Sequence, residues 1–146
     1  IMVLLSWQKM NSELINNVMK GDILKNGFGD LGVVCEISED IYIELLEGVD
    51  KGQRSNPKYL VMPVNLSASF LKANGFTEVD KIIYTEYTLS IKDTAGVKIR
   101  LYKDNNEANY CEVATFTRGN TTRDIQYVHE LQHIFKEFKI DFQWKI

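Results

Sequence analysis

Two neighbouring stretches constrain this chain more than any other feature. In "YTLSIKD", Tyr87, Leu89 and Ile91 alternate with Thr88, Ser90 and Lys92; in "GVKIRLYK", Val97, Ile99 and Leu101 alternate with Lys98, Arg100 and Tyr102. Successive side chains of a β-strand point to opposite faces, so each stretch has one face to bury and one to leave wet. Asp93-Thr94-Ala95-Gly96 between them reads as a hairpin turn. "NYCEVATFT" supplies a third strand of the same antiparallel sheet.

Helices flank that sheet. Ser67 fits an N-cap, Phe70 and Leu71 the apolar stripe, and Gly75 the C′ position of a short helix. A second helix is expected from Asp124 to Phe138, with "DFQWKI" after it as an edge strand. Upstream, "DILK", "LGVVCEI", "DIYIELL" and "KYLVMPV" are short β runs bounded by Gly, Asp, Asn or Pro, with residues 47 to 57 as the longest loop. Trp7, Met10, Leu14, Ile15, Val18 and Met19 have helical spacing. The expected fold class is α+β. Residues 1–17 form a helical extension and 18–64 an SH3-like small β-barrel or curled sheet. Residues 65–146 form an α-β-β-β-α unit packed against it, giving one compact domain overall.

Composition removes several function classes. The chain has 146 residues, 45% of them hydrophobic and 25% charged, which suits a globular domain rather than a disordered one. A net charge of −3 gives no whole-protein field to gather nucleic acid. No apolar run approaches the ~20 residues of a membrane-spanning helix, and "IMVLLSW" lacks the basic region and cleavage site of a signal peptide. The expected location is the cytoplasm, with no membrane partner. Cys35 and Cys111 form no C-x-x-C and sit in β-branched or apolar runs, so both read as reduced packing residues.

Four patterns resemble chemistry. Gly27-Phe28-Gly29-Asp30-Leu31-Gly32 matches G-x-G-x-x-G, but it opens a strand-like run where a dinucleotide fold needs a helix. No kinase lysine, H-R-D or D-F-G accompanies it, so it reads as a glycine-rich hairpin turn. Lys92, Lys98, Arg100 and Tyr102 share one sheet face, a candidate nucleic-acid surface that Glu86 would dilute. Trp7, Phe142 and Trp144 are candidate partner anchors, or else cover one edge of the fold.

The fourth is His129-Glu130-Leu131-Gln132-His133, an H-E-x-x-H match. On a helix, two histidines four apart could bind zinc while Glu130 polarises a bound water. The helical wheel puts Val128, Leu131, Phe135 and Phe138 on the core side and both histidines roughly opposite, facing solvent or a cleft. A catalytic zinc needs a third ligand, and the chain has only these two histidines. Glu137 shares the helix and cannot easily converge with both rings. The match therefore reads as accidental, with no enzyme and no cofactor implied.

Three stretches resemble a family of small, mostly uncharacterised proteins encoded by Bacteroidetes genomes and their phages. "VMKGDIL" is similar to its apolar entry before the first barrel strand, and "PVNLSASFLKANGF" to its Pro-x-x-Leu-Ser/Thr helix ending in Gly-Phe. "YVHELQHIF" resembles its Tyr-Val-His-Gln-Leu-Gln-Asn signature, which implies that Glu130 and His133 stand where the family more often has Gln and Asn. The resemblance implies no activity. Residues 1–17 and "KIDFQWKI" depart from it. The expectation is a non-enzymatic protein-interaction module of phage or prophage type, whose partner is a host or virion protein.

Overall fold

Edge strands account for most of what the alternation pattern leaves out. A computed structural model describes residues 17–55, 61–91, 95–115 and 119–146. The expected helix over residues 6 to 19, and Trp7 and Lys92 with it, lies largely or wholly outside them. The chain divides into two compact units, residues 1–64 and 65–146. Among the described residues the class is α+β: two antiparallel sheets of four and five strands, and two helices.

In the first unit, β1 (Ile23–Asn26), β2 (Leu31–Ile37), β3 (Ile41–Leu45) and β4 (Val61–Pro63) are ordered β3-β2-β1-β4. The sheet is open, with β3 and β4 at its edges, rather than a closed barrel. Leu24, Val34, Ile41, Ile43, Leu45 and Val61 form its core together with Val18. The glycine-rich match is the β1–β2 turn. Asn26 braces it, its Oδ1 accepting the backbone N–H of Phe28 at 3.0 Å and of Asp30 at 2.9 Å. Between β2 and β3 the pairing jumps from Val34↔Ile43 to Glu36↔Tyr42. At this bulge the register skips Cys35, whose thiol donates to Tyr42 O at 3.4 Å on β3, and Cys35 is exposed rather than a packing residue. Cys111 is buried, as expected.

The second unit runs from α1 (Ala68–Ala73) through a meander of five strands to α2 (Val128–Glu137). The strands are β5 (Thr77–Asp80), β6 (Tyr84–Ile91), β7 (Ala95–Tyr102), β8 (Tyr110–Thr115) and β9 (Gly119–Asp124), paired in sequence order. Five strands replace the expected three. Every residue of β5 is exposed, as are five of the six in β9, so neither carries an apolar repeat that sequence could reveal. Because β9 runs to Asp124, the last helix begins at Val128 rather than Asp124. Ala95 and Gly96, expected in a turn, are the first residues of β7. The register aligns Tyr87, Ile99 and Cys111 in one row and Leu89, Val97 and Val113 in the next. Of these six, all but the half-buried Leu89 are fully buried.

Both helices end alike. Ser67 is the N-cap of α1, its Oγ accepting the N–H of Phe70 at 3.2 Å. At its end Gly75 N–H bonds Lys72 O and Phe76 N–H bonds Leu71 O, both at 3.1 Å, with Gly75 at φ +88°. This is a Schellman motif with glycine in the left-handed position. In α2, Lys139 N–H bonds Lys136 O at 3.1 Å and Ile140 N–H bonds Phe135 O at 2.8 Å. That is the same motif, but Lys139 occupies the left-handed position at φ 56°.

Candidate interaction surfaces

The H-E-x-x-H residues lie in the first turns of α2. Glu130 occupies the third helical position, and its Oε1 accepts the backbone N–H of Tyr127 at 2.8 Å and of Gln126 at 3.0 Å. Its carboxylate thus satisfies donors that the helix start leaves open. That geometry gives Glu130 a capping role at the start of α2. His129 is only 4% exposed, which corrects the expectation that both rings face solvent or a cleft. The Tyr127 ring, just ahead of the helix, stacks on it at 5.7 Å and 12°. A helical wheel assumes a continuing helix and cannot register a residue that precedes the first turn. His133 is half-buried and meets His129 edge-on, with ring centres 5.6 Å apart. Among the described residues, no three His, Cys, Asp or Glu side chains are grouped so as to hold a metal ion.

The wet face of the meander does bring Lys98, Arg100 and Tyr102 together. Its charges are met locally. Arg100 stands opposite Glu86, with Nε 3.6 Å from a carboxylate oxygen, and its other cross-strand neighbour is Tyr110. The guanidinium lies over the rings of Tyr84 at 4.7 Å and Tyr110 at 4.9 Å, a pair of cation–π contacts. Lys98 is registered between Thr88 and Glu112, and the Tyr110 hydroxyl donates to Glu112 at 2.6 Å. That hydrogen bond to a carboxylate, with some burial, raises the Tyr110 pKa above its ordinary value. Near the β7–β8 connection is a cavity of about 780 Å³ whose lining, among the described residues, includes Asp104, Glu107, Asp124 and Glu130 and no lysine or arginine. A phosphate backbone following this face would meet carboxylates beside each cation.

Phe142 and Trp144, candidate partner anchors, are packed inside the second unit. Trp144 stacks on Phe70 of α1 with ring centres 5.9 Å apart and lies 4.7 Å from Phe135 of α2. Phe142 meets Phe135 at 5.4 Å and Trp144 at 4.6 Å. The segment is not the expected edge strand, for residues 140–146 join no sheet. What holds it is Asn74, the C-cap of α1, which is itself buried. Asn74 Oδ1 accepts Lys145 N–H at 2.6 Å, and its Nδ2 donates to Lys145 O and to Phe70 O, both at 2.9 Å.

A different surface carries no motif in the sequence. Between β5 and β6, Lys81 N–H bonds Tyr84 O at 2.9 Å, so Ile82 and Ile83 are the central residues of a four-residue turn. Ile82 is 93% exposed, Ile83 62% and nearby Val79 44%. Asp80 fixes the base of the turn, accepting from Thr85 Oγ1 at 3.2 Å and pairing with Lys103 at 2.9 Å. The Lys103 ammonium holds the Asp80 carboxyl below its usual pKa. Turn centres favour Gly, Asn, Asp and Pro, so two adjacent isoleucines there are anomalous, and the anomaly is visible in "DKIIY". In the first unit Phe28, on the Asn26-braced turn, is 75% exposed. No helix among the described residues is long and apolar enough to cross a membrane. No family model, curated protein or solved structure matches this chain.

Proposed function

We infer that the protein is a non-enzymatic interaction module that docks on another protein through the Ile82-Ile83 turn. The observation that carries the reading is that pair of isoleucines, held in solvent by a turn whose base is hydrogen-bonded and ion-paired. Covering an isoleucine fully is worth roughly 1.5–3 kcal/mol, so a partner pocket that covers what Ile82 and Ile83 expose gains about 2–5 kcal/mol before association costs. The turn is already ordered, which lowers the entropy that docking must overcome. Contiguous exposed apolar groups, unlike scattered single ones, mark protein-binding surfaces, and Ile82 and Ile83 are adjacent.

The resemblance to small proteins of Bacteroidetes genomes and their phages supports a phage- or prophage-type accessory role, with a host or virion protein as partner in the host cytoplasm. On this reading residues 18–64 act as an SH3-like curled sheet that presents Phe28. Nucleic acid is disfavoured, because Glu86 and Glu112 stand against Arg100 and Lys98. The test places a photo-crosslinking amino acid at position 82, and in a control at exposed Lys51, in cells that make the protein. A discrete protein adduct at 82, absent at 51 and lost when Ile83 is changed to Asp, is expected. Adducts equal at the two positions, or nucleic acid as the adduct from 82, would overturn the reading.

A further inference from the structure

Two hydrogen bonds fix which backbone groups of β5 face away from its sheet. Lys81 N–H bonds Tyr84 O at 2.9 Å, while Lys103 N–H bonds Ile83 O at 3.0 Å. Successive residues of a strand turn their backbone groups to opposite neighbours. On β6, therefore, Tyr84, Glu86 and Thr88 face β5, whereas Thr85 and Tyr87 face β7. Val79 and Thr77, registered opposite Glu86 and Thr88, carry the ladder to β6. Glu78 and Asp80 turn their N–H and C=O groups the other way, where no strand among the described residues pairs with β5. All four residues of β5 are exposed. Native sheets guard such edges with polar and charged residues. The opposite edge, β9, is guarded throughout, for Gly119–Asp124 holds no aliphatic residue. β5 instead exposes Val79 between its two open residues and leads, three positions on, into Ile82. Open backbone groups alternating with an exposed aliphatic side chain fit another β-strand, whose main chain extends the ladder while an alternate side chain meets Val79.

We propose that β5 accepts a sixth strand from another protein: an extended segment with an aliphatic residue opposite Val79, flanked by lysine or arginine against Glu78 and Asp80. Charge selects this occupant. A second copy of β5 would set Glu78 or Asp80 against a carboxylate in any register that uses both open residues, and like charges directly opposite destabilise a strand pair. A basic segment meets the same two carboxylates favourably. The Asp80 side chain remains 72% exposed beside Lys103, and so is open to a second cation. The proposal rests on the reading of the Ile82-Ile83 turn as a docking surface and gives the partner its form, a strand that pairs with β5 and runs on to the turn.

The experiment titrates the full, ¹⁵N-labelled chain with a blocked peptide, Thr-Lys-Val-Lys-Thr, followed by amide chemical shifts. So short a strand binds weakly, so the titration runs to about 5 mM. The amides of Glu78 and Asp80 should move downfield saturably, those of Thr77 and Val79 less, and those of β9 not at all. Thr-Glu-Val-Glu-Thr should bind about tenfold more weakly. Glu78→Pro removes one outward donor and spares the ladder to β6, and should also weaken binding about tenfold, while Glu78→Gln keeps the donor and most of the affinity. If Glu78→Pro does not fold, protection of the Glu78 and Asp80 amides from hydrogen exchange by the peptide carries the same test in the unsubstituted chain. No saturable shift or protection at those two amides, equal shifts along β9, or binding indifferent to Glu78→Pro overturns the proposal. Crosslinking at position 82 reads the turn separately. A protein adduct there with no peptide shift on β5 sinks the strand pairing alone, whereas peptide shifts on β5 without an adduct at 82 sink the docking turn.

Discussion

Lys139→Gly should stabilise the protein. An L-residue in the left-handed region costs roughly 1–2 kcal/mol, because its Cβ crowds the following carbonyl oxygen. Lys139 bears that cost at φ 56°, in a motif whose hydrogen bonds at 2.8 and 3.1 Å are fully made. Its side chain is exposed, so replacing it removes no packing. Glycine gives back some of the gain through greater freedom of the unfolded chain, about 0.5–1 kcal/mol, and loses a small favourable charge at the helix end. The net expectation is about 0.5–1 kcal/mol, or a rise of roughly 2–4 °C in melting temperature for a chain of this size. Thermal and urea melts followed by circular dichroism would measure it. Gly75→Ala is the reciprocal experiment: an added Cβ would meet only Leu89 Cδ1 at 3.7 Å, an ordinary contact, so the cost is backbone strain of about 1 kcal/mol. Two substitutions that move stability in the same direction, or a Lys139→Gly chain that melts lower, would refute the reasoning.

Three further outcomes follow from other sites. Gly32→Ala should destabilise by about 1–3 kcal/mol in urea melts, because a Cβ there would lie 2.8 Å from the Glu44 carbonyl oxygen and 3.0 Å from Ile43 Cδ1. Glu130→Ala should cost about 1 kcal/mol by freeing the backbone N–H groups of Gln126 and Tyr127, while Glu130→Gln, which keeps an acceptor, should cost less. Burial, and then the 2.9 Å hydrogen bond to Glu78, push the Tyr87 pKa up from 10.0 to about 12. The folded state then holds that proton longer than the unfolded chain, so its contribution is present below pH 10 and is lost as pH rises from 10 through 12. Burial likewise pushes the Cys111 thiol from 9.0 to about 12, opening its window one unit lower. Urea melts across that range should show falling stability, with a shallower fall in Tyr87→Phe above pH 10.

Legibility in the sequence tracked how local the cause was. Ser67 and Gly75 could be read from the chain because capping is settled within a few residues. Tyr87, Leu89, Val97 and Ile99 could be read because a half-buried strand writes its alternation into sequence. β9, "GNTTRD", could not be read, since an edge strand exposed on nearly every residue has no apolar pattern to write. Lys139 in a left-handed position was invisible because its residue type points the other way. Phe142 and Trp144 were visible as aromatics, but Phe70 lies some seventy positions away and nothing local names it. The burial of His129 depended on the Tyr127 ring, which precedes the helix and which no wheel includes. Ile82-Ile83 is legible as a turn with the wrong residues, but its exposure is not, because two adjacent isoleucines in sequence read equally well as buried strand.

The meander of β5 to β9 has a kinetic consequence. Each strand pairs with its neighbour in sequence, so every pairing closes a short loop. Loop-closure entropy is met in small steps, and hairpins of this kind form in about 1–10 µs. The clamp between Asn74 and Lys145 is of another order, spanning 71 positions and having little value until both helices are seated. The sheet should therefore assemble by successive zipping, with the clamp as the late event. By the same ordering, the clamp is the contact whose release disturbs least of what formed before it. Native-state hydrogen exchange would then register the Lys145 amide opening by itself, well below the free energy at which Ile99 and Val113 exchange.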